Sequence, residues 1–265
     1  MYLLTLISFI LKDKKAVITV KGLKKVYVVG ETRVKALRGV DFEIYKGEFC
    51  AIVGTSGSGK STLLNMLAGL EPPSTGEISV AGERIDKMNE SRLVSFRREH
   101  VGFIFQAYNL MQNMTAIENV ALPLSFRGTP KKIREKKAAK ALRLVKLKDH
   151  MYHRPTQMSG GQQQRVGIAR ALVLEPEIIF ADEPTGNLDS ATSKEVLALM
   201  QRLVKEQGLT LVMVTHDEHL ASYADRIFRI SDGRIIGIET NDHGAEGYEV
   251  PVAEELIDEK NQHSV

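Results

Sequence analysis

Apolar and polar positions change period often enough along this chain to lay out a mixed fold. Ala16 to Val20 alternates as a strand, and a second β-like region runs from Val34 through Asp41-Phe42-Glu43-Ile44 to the turn at Lys46-Gly47. Phe49 to Val53 is an unbroken apolar run that passes through a glycine-rich loop into a helix beginning near Lys60. Glu71-Pro72-Pro73-Ser74-Thr75-Gly76 breaks the pattern, Glu77 to Val80 returns to β character, and from Asp86 the period is helical. Val101 to Phe105 reads as a short strand ending at Gln106. Asn113 to about Asp149 reads as mostly helical, with breaks expected near Pro123 and at Gly128-Thr129-Pro130. Pro130 suits the start of the next helix, Lys131 to Lys148.

Met158 to Gln164 opens a further helix with the apolar stripe Val166, Ile168, Ala169 and Leu172. Ile178 to Ala181 is continuously apolar, as a central parallel strand requires when both its faces are covered. Ser190 to Gln207 is amphipathic, with Val196, Leu197, Leu199 and Met200 turned to a core, and Leu211 to Thr215 is another buried strand. Strands alternating with helices predict an α/β fold with a mainly parallel sheet and a site beyond the carboxyl ends of its strands. From Asp242 the chain is acidic and without pattern, which reads as a polar, partly disordered tail.

Composition adds little. The 265 residues carry a formal net charge of +3, so no global nucleic-acid signal is present. The single cysteine, Cys50, stands inside an apolar strand and reads as a small buried hydrophobe. Met1 to Leu11 is apolar but shorter than the roughly 18–20 residues a spanning helix needs, and it lacks the basic start of a signal peptide. A membrane role is therefore expected through a partner, with the protein itself cytoplasmic. Lys131 to Lys148 holds nine Lys or Arg against one Glu. Such a helix is either the solvated face of an inserted subdomain or a surface for anionic lipid or an acidic partner.

The chemistry starts at Gly54-Thr55-Ser56-Gly57-Ser58-Gly59-Lys60-Ser61, a phosphate-binding loop set between strand and helix. Its glycines allow positive φ and close approach to a phosphate, and the exposed N–H groups with the helix start form an anion nest. Lys60 reaches the outer phosphates and the Ser61 hydroxyl takes a place on Mg²⁺. Asp182 closes the apolar strand Ile178–Ala181 and stands where an acid holds the metal; Glu183 follows and points towards an attacking water. Adjacent acids at the end of a buried strand are too costly to be packing residues. His216 and Gln106, each at a strand end, read alone as polar terminal residues, and Tyr27 as a half-buried strand aromatic. Met158-Ser159-Gly160-Gly161-Gln162-Gln163-Gln164-Arg165 puts Ser and glycines at a second helix start, repeating the anion-binding logic. One phosphate loop and two such helix ends point to a composite site shared by two copies.

In this order and spacing, the phosphate loop, Gln106, the Ser159-Gly160-Gly161-Gln162 signature, Asp182-Glu183 and His216 resemble ABC-transporter ATPase subunits over about residues 16 to 238. Met158 stands where that family usually has Leu. Thr185-Gly186-Asn187-Leu188-Asp189 and the run GGQQQRVGIARAL are similar to the branch of lipoprotein-releasing, macrolide-exporting and cell-division ATPases. The resemblance implies a P-loop NTPase (RecA-like) α/β domain over 16–240, an N-terminal antiparallel β subdomain, and a helical insertion over about 86–158. Outside that domain lie an N-terminal extension over 1–15 and the acidic, partly disordered tail over 241–265, read from composition. Tyr27 would stack on adenine, and Gly54, Thr55, Ser56, Gly57, Ser58, Gly59, Lys60, Ser61 and Thr62 would cradle the phosphates of ATP. Ser61, Gln106 and Asp182 would bind Mg²⁺, Glu183 would be the general base, and His216 would contact the γ-phosphate. Ser159, Gly160, Gly161 and Gln162 would close on the ATP of a second copy in a homodimer, with Asp189 reaching across. The implied partner is an integral-membrane permease, holding the subunit at the cytoplasmic face of the cell membrane. Leu110 and Met111 are the apolar contacts expected for it. The alternatives are a mechanical transmitter regulating a cell-wall hydrolase, a soluble ATPase of iron–sulfur assembly, and a DNA-repair or translation ATPase. The last lacks its usual coiled coil, zinc cysteines or second fused ATPase half here.

Overall fold

The computed structural model describes residues 15–241; the expected N-terminal extension and acidic tail lie outside them. Strands β1 (Ala16–Val29) and β2 (Thr32–Tyr45) are longer than their patterns predict, and pair antiparallel around Gly30 and Glu31. Gly22 (φ +55°) and Gly39 (φ +99°) look like breakers in the sequence but fall at register shifts, where the strands bulge and continue. β4 (Thr75–Val80) and the short β5 (Glu83–Arg84) complete this sheet in the order β2-β1-β4-β5.

The second sheet is mainly parallel. It holds β3 (Phe49–Val53), β6 (Val101–Ile104), β7 (Ile178–Asp182), β8 (Thr210–Thr215), β9 (Arg226–Ser231) and β10 (Arg234–Thr240). Their order is β10-β9-β3-β8-β7-β6, with only the β9–β10 hairpin antiparallel. Helices α1 (Lys60–Leu67) and α2 (Glu90–His100) cover one face. Helices α3 (Ala116–Phe126), α4 (Lys131–Leu144), α5 (Gly160–Leu172) and α6 (Ser190–Gln207) build the core on the other. A short α7 (Glu218–Ala221) precedes β9.

Period-two geometry explains the unbroken apolar runs. In β3, Phe49, Ala51 and Val53 join the core of α3 to α6, while Cys50 and Ile52 face the core shared with α1 and the antiparallel sheet. In β8, Leu211 and Met213 take the first side and Val212 and Val214 the second. Cys50 is fully enclosed and burial pushes its thiol up, in keeping with a packing role.

Three expectations need correction. The helical insertion of about 86–158 is interrupted: α2 packs on the α1 side, and β6 is the edge strand of the main sheet because its register pairs Val101–Ile104 with Ile178–Ala181. Helix α3 runs through Pro123 instead of breaking there. The interior proline costs about 3 kcal/mol; here Ala116, Ile117, Val120, Ala121 and Leu124 are all buried along one stripe, which offsets it. Leu110 is buried in the core, leaving Met111, about half exposed, as the accessible member of the pair expected to meet a permease. Among the described residues, no helix is long and apolar enough to cross a membrane.

Candidate functional site

The site grows from the carboxyl end of β3. Gly54 follows directly, and a Cβ there would lie 2.3 Å from the Ile230 carbonyl and 2.7 Å from Ser58 Oγ. Gly59 has φ +92°, and its Cβ would meet the Ala36 carbonyl at 2.3 Å. Backbone on both sides therefore excludes any larger residue. The Gly233 N–H donates to the Ser58 carbonyl at 2.9 Å, so the β9–β10 turn underpins the loop. Helix α1 starts at Lys60 with no side-chain cap and no acid in its first turn. Its leading N–H groups are open to a ligand, at the positive end of the helix dipole.

Lys60 is buried, and its ammonium donates to the carbonyls of Gly54 at 2.9 Å and Thr55 at 3.1 Å. Neutral oxygens are its hydrogen-bond partners, so its charge remains available to an anion entering the loop. Ser58 Oγ is buried without a partner. These features fit a polyphosphate. The Ser61 hydroxyl donates to Asp182 Oδ1 at 3.3 Å, bringing the start of α1 to the end of β7. Burial holds the Asp182 carboxyl above its usual pKa, and the adjacent Glu183 charge raises it further; the Ser61 hydrogen bond and the Lys60 charge pull it down. A hydroxyl and a carboxylate converging beside a phosphate seat are the hard oxygen donors that suit Mg²⁺, which takes the rest of its shell from phosphate and water.

Glu183 has φ +42°, while its N–H donates to the Val214 carbonyl at 3.0 Å. Its carboxylate accepts from His216 Nδ1 at 2.9 Å, the imidazole arriving from the residue after β8. Thr55, Ser56, Gly57, Gly59, Lys60, Ser61, Thr62, Glu183 and His216 line one open cleft of about 780 Å³. Val34, Lys35 and Ala36 of β2, expected as strand but not as site residues, form its remaining wall. Tyr27 pairs with Val34 across β1 and β2. Its hydroxyl donates to Glu71 Oε2 at 2.8 Å and lies 3.5 Å from Thr62 Oγ1, at the edge of the loop. Burial, then the Glu71 charge, raises its pKa against the Thr62 hydrogen bond.

The other expected residues lie elsewhere. Ser159 Oγ accepts from the Gln162 N–H at 3.3 Å, and Gln162 Oε1 accepts from the Ser159 N–H at 3.0 Å, a reciprocal capping box on α5. A Cβ on Gly161 would sit 2.4 Å from Thr192 Cγ2, and one on Gly160 would sit 2.9 Å from the Tyr108 hydroxyl. Both glycines thus serve close packing on α6 and on the loop after β6. Asp189 caps α6, accepting from the Thr192 N–H at 3.0 Å and the Thr192 hydroxyl at 2.6 Å, hydrogen bonds that hold its carboxyl below its usual pKa. The Gln106 side chain packs on Gly186, whose Cβ would lie 2.6 Å from Nε2, and its carbonyl accepts from Asn187 Nδ2 at 2.9 Å. None of Ser159, Gly160, Gly161, Gln162, Asp189 or Gln106 lines the cleft of its own chain.

Three further residues, Tyr108, Asn109 and Arg170, are missed by sequence reasoning. Tyr108 and Asn109 have φ of +47° and +50°, and Arg170 of α5 donates to their carbonyls at 2.8 and 2.5 Å. Arg170 thereby ties the loop carrying Gln106 to the helix that Ser159 caps. Burial lowers its pKa, a cost borne for these contacts. The only sequence signal was a cation inside the apolar run VGIARAL.

Comparison with known proteins fits this geometry. A family model described as ABC transporter matches residues 37–186. The lipoprotein-releasing system ATP-binding protein LolD of Geobacter metallireducens is 44% identical over 221 residues, covering 83% of this chain and 98% of LolD. The macrolide export ATP-binding/permease protein MacB of Photorhabdus laumondii is 48% identical over 221 residues, and this chain spans only 34% of its length. Among solved structures, a dimeric post-hydrolysis state of the ATP-binding cassette MJ0796, bound to ADP and Pi, superposes with a TM-score of 0.77 at 41% identity. That match covers 84% of this chain and 98% of the cassette. The phosphate loop, joined through Ser61 to Asp182, and the Glu183–His216 pair thus stand in a fold similar to that of a cassette solved with ADP and Pi. The chain belongs to the ABC transporter family, as an ATP-binding ATPase close to the LolD and MacB branch.

Proposed function

We propose that two copies of this chain bind two ATP molecules head to tail and hydrolyse them to drive a separate membrane permease. The observation that carries the proposal is the division of the site. Lys60, Ser61, Glu183 and His216 line one cleft, with Asp182 hydrogen-bonded to Ser61 beside it, while the Ser159–Gln162 helix end stands away from it in the same chain. A second copy brings that helix end to the open phosphate loop and completes an enclosure that excludes water from all but the reacting position. The dimeric MJ0796 cassette with ADP and Pi supports this arrangement.

In the reaction, Gly54 to Thr62 present backbone N–H groups and the Lys60 ammonium to the phosphates, holding the γ-phosphorus against charge as it builds on the leaving oxygen. Glu183 takes the proton of the attacking water as the new O–P bond forms and the bond to the β-phosphate oxygen breaks. His216 orients the Glu183 carboxylate through their hydrogen bond and reaches the γ-phosphate from the other side. Ser61 and Asp182 would hold Mg²⁺, and Gln106, whose side chain packs on Gly186 in this structure, would have to turn towards the cleft to join them; the ion would supply neutralisation of phosphate charge. Tyr27 and Val34 provide the platform for adenine, and Asp189 meets the opposite subunit. The permease holds the dimer at the cytoplasmic face of the membrane, with Met111 on the docking surface. The likeness to LolD and MacB favours export or extraction of a lipoprotein, peptide or drug, and no nucleic acid is a partner.

The test is Glu183→Gln. It should keep ATP affinity, lower kcat by about 10²–10⁴-fold, the usual worth of a general base, and trap an ATP-bound dimer on size exclusion. Turnover near the parent rate would reject Glu183 as the base. Pull-down of this trapped form from solubilised membranes should recover a permease; recovery of soluble proteins alone would reject the membrane partner.

A further inference from the structure

A groove unconnected with the nucleotide cleft lies at the opposite rim of the main sheet, where the parallel strands begin. Its cavity is about 220 Å³, floored by Ala141, Leu144 and Leu209 and edged by Lys137, Lys140 and Glu175. The edge belongs to α4, and the helix carries a second row of cations: Lys132, Lys136, Lys140 and Arg143 are exposed at spacings that put them on one face. Among the described residues none of these four is in an ion pair or donates a side-chain hydrogen bond. Lys137 is 3.6 Å from Glu175, which is 72% exposed, so that pair is open to exchange. Four unpaired cations beside an apolar trough favour an occupant that is both acidic and apolar.

The chain itself carries such a segment. From Asp242 to Val265 there are seven Asp or Glu against one Lys. Within it Val252-Ala253, Glu254-Glu255, Leu256-Ile257 and Asp258-Glu259 alternate apolar and acidic pairs, so apolar and acidic groups stand within two residues of each other along the segment. The point of departure also matches. Asn241 N–H donates to Asp225, Asp225 N–H to Phe49, Leu211 N–H to Glu48, and Thr210 N–H to Glu177, a series of bonds that follows the same rim from the chain exit to within two residues of Glu175. That path crosses four strand spacings, about 20 Å, whereas the 12 residues between Asn241 and Glu254 reach up to about 40 Å when extended.

We propose that the acidic segment around Glu254–Glu259 docks on the basic face of α4, with Leu256 and Ile257 in the groove and its acids on Lys136, Lys137 and Lys140. Tethering raises the local concentration of the segment to about 1 mM, so a contact too weak to form between separate molecules is substantially populated within one. Docking bridges α4 to the corner between α6 and β8.

The test is carbodiimide cross-linking of the full-length protein, with cross-linked peptides identified by mass spectrometry. Links from Lys136, Lys137 or Lys140 to Glu254–Glu259 within one molecule are expected to dominate. The pair Lys136→Glu and Lys140→Glu should reduce them several-fold, and adding Glu254→Lys and Glu255→Lys should restore them with the charges exchanged. Tail links spread evenly over remote lysines such as Lys21 and Lys87, links only between molecules, or a yield unaffected by the Lys136 and Lys140 changes would overturn the proposal. Vesicles containing phosphatidylserine decide against lipid as the true occupant: the full-length Glu254→Lys, Glu255→Lys variant should sediment with them more than the parent. Equal sedimentation of the two would show the tail does not cover this face.

Discussion

The starts of α1 and α5 use the same vocabulary, small residues and glycines ahead of an amphipathic helix, and arrive at opposite states. The α1 start has no side-chain cap, no acid in its first turn, and a buried lysine whose hydrogen bonds go only to carbonyls. At α5, Ser159 and Gln162 cap each other, and Gly161 is spent on approach to Thr192. Unsatisfied donors make the first end a ready anion seat. The second is stable as it stands, so a ligand there has to displace a local bond or meet donors outside the cap. Within one chain, a glycine-rich helix start is a ready anion seat only where its own side chains leave the donors open; the capped α5 start needs the partner copy to bring a ligand to it.

Substitutions can break or sharpen that contrast. The largest effect is expected at Lys60: Lys60→Ala removes charge-assisted bonds to phosphate worth about 1.5–3 kcal/mol each. ATP affinity should therefore fall at least tenfold by calorimetry, with the apo melting temperature little changed. Loss of stability without loss of affinity would mean the lysine only braces its loop. At the other end, Gly161→Ala should cost about 1–3 kcal/mol by overpacking, because the added methyl overlaps Thr192 Cγ2. Thr192→Ser, which deletes that methyl, should recover most of it in urea melts. Failure of the rescue would place the strain elsewhere. Ser159→Ala should cost about 1 kcal/mol, the usual worth of a cap, a drop in Tm of a few degrees for a chain of this size. ATP affinity of the monomer should not move.

The smallest contrast is one of pH. The folded Asp182 pKa is raised above its ordinary 3.8. The protonated form is thus favoured by folding, and ionisation costs stability as pH rises through the folded value. Asp182→Asn should melt higher than the parent without nucleotide at pH 7, with the difference vanishing below about pH 4, where both states of the parent are protonated. A lower melting temperature for the variant at pH 7 would contradict the burial argument.

Legibility in the sequence follows how local the determinants are. Helix α6 spans the expected Ser190 to Gln207, because its stripe, its Asp189 cap and its Gly208 stop are all local. The β3–loop–α1 unit was equally plain, since each glycine answers a nearby constraint. β1 and β2 were only partly legible: a bulge glycine and a turn glycine look alike until the partner strand is known. The β9–β10 hairpin went unread because β10 is largely exposed and its pairing, not its pattern, holds it. Pro123 misled because burial elsewhere on α3 decides its fate. Tyr108 and Arg170 were hidden for a related reason, their contacts spanning residues 62 and 61 apart in the chain.

The buttressing of the phosphate loop also sets an order of events during synthesis. β3 has β8 on one side and β9 on the other, and Gly233 holds Ser58 from beneath. Every one of these supports lies more than 150 residues downstream of the strand it flanks. At about 5–20 residues per second, the loop emerges from the ribosome roughly ten to thirty seconds before the strands that complete it. Until then β3 offers two open apolar edges, and a nascent chain halted short of β9 has its phosphate-binding motif without a sheet to carry it.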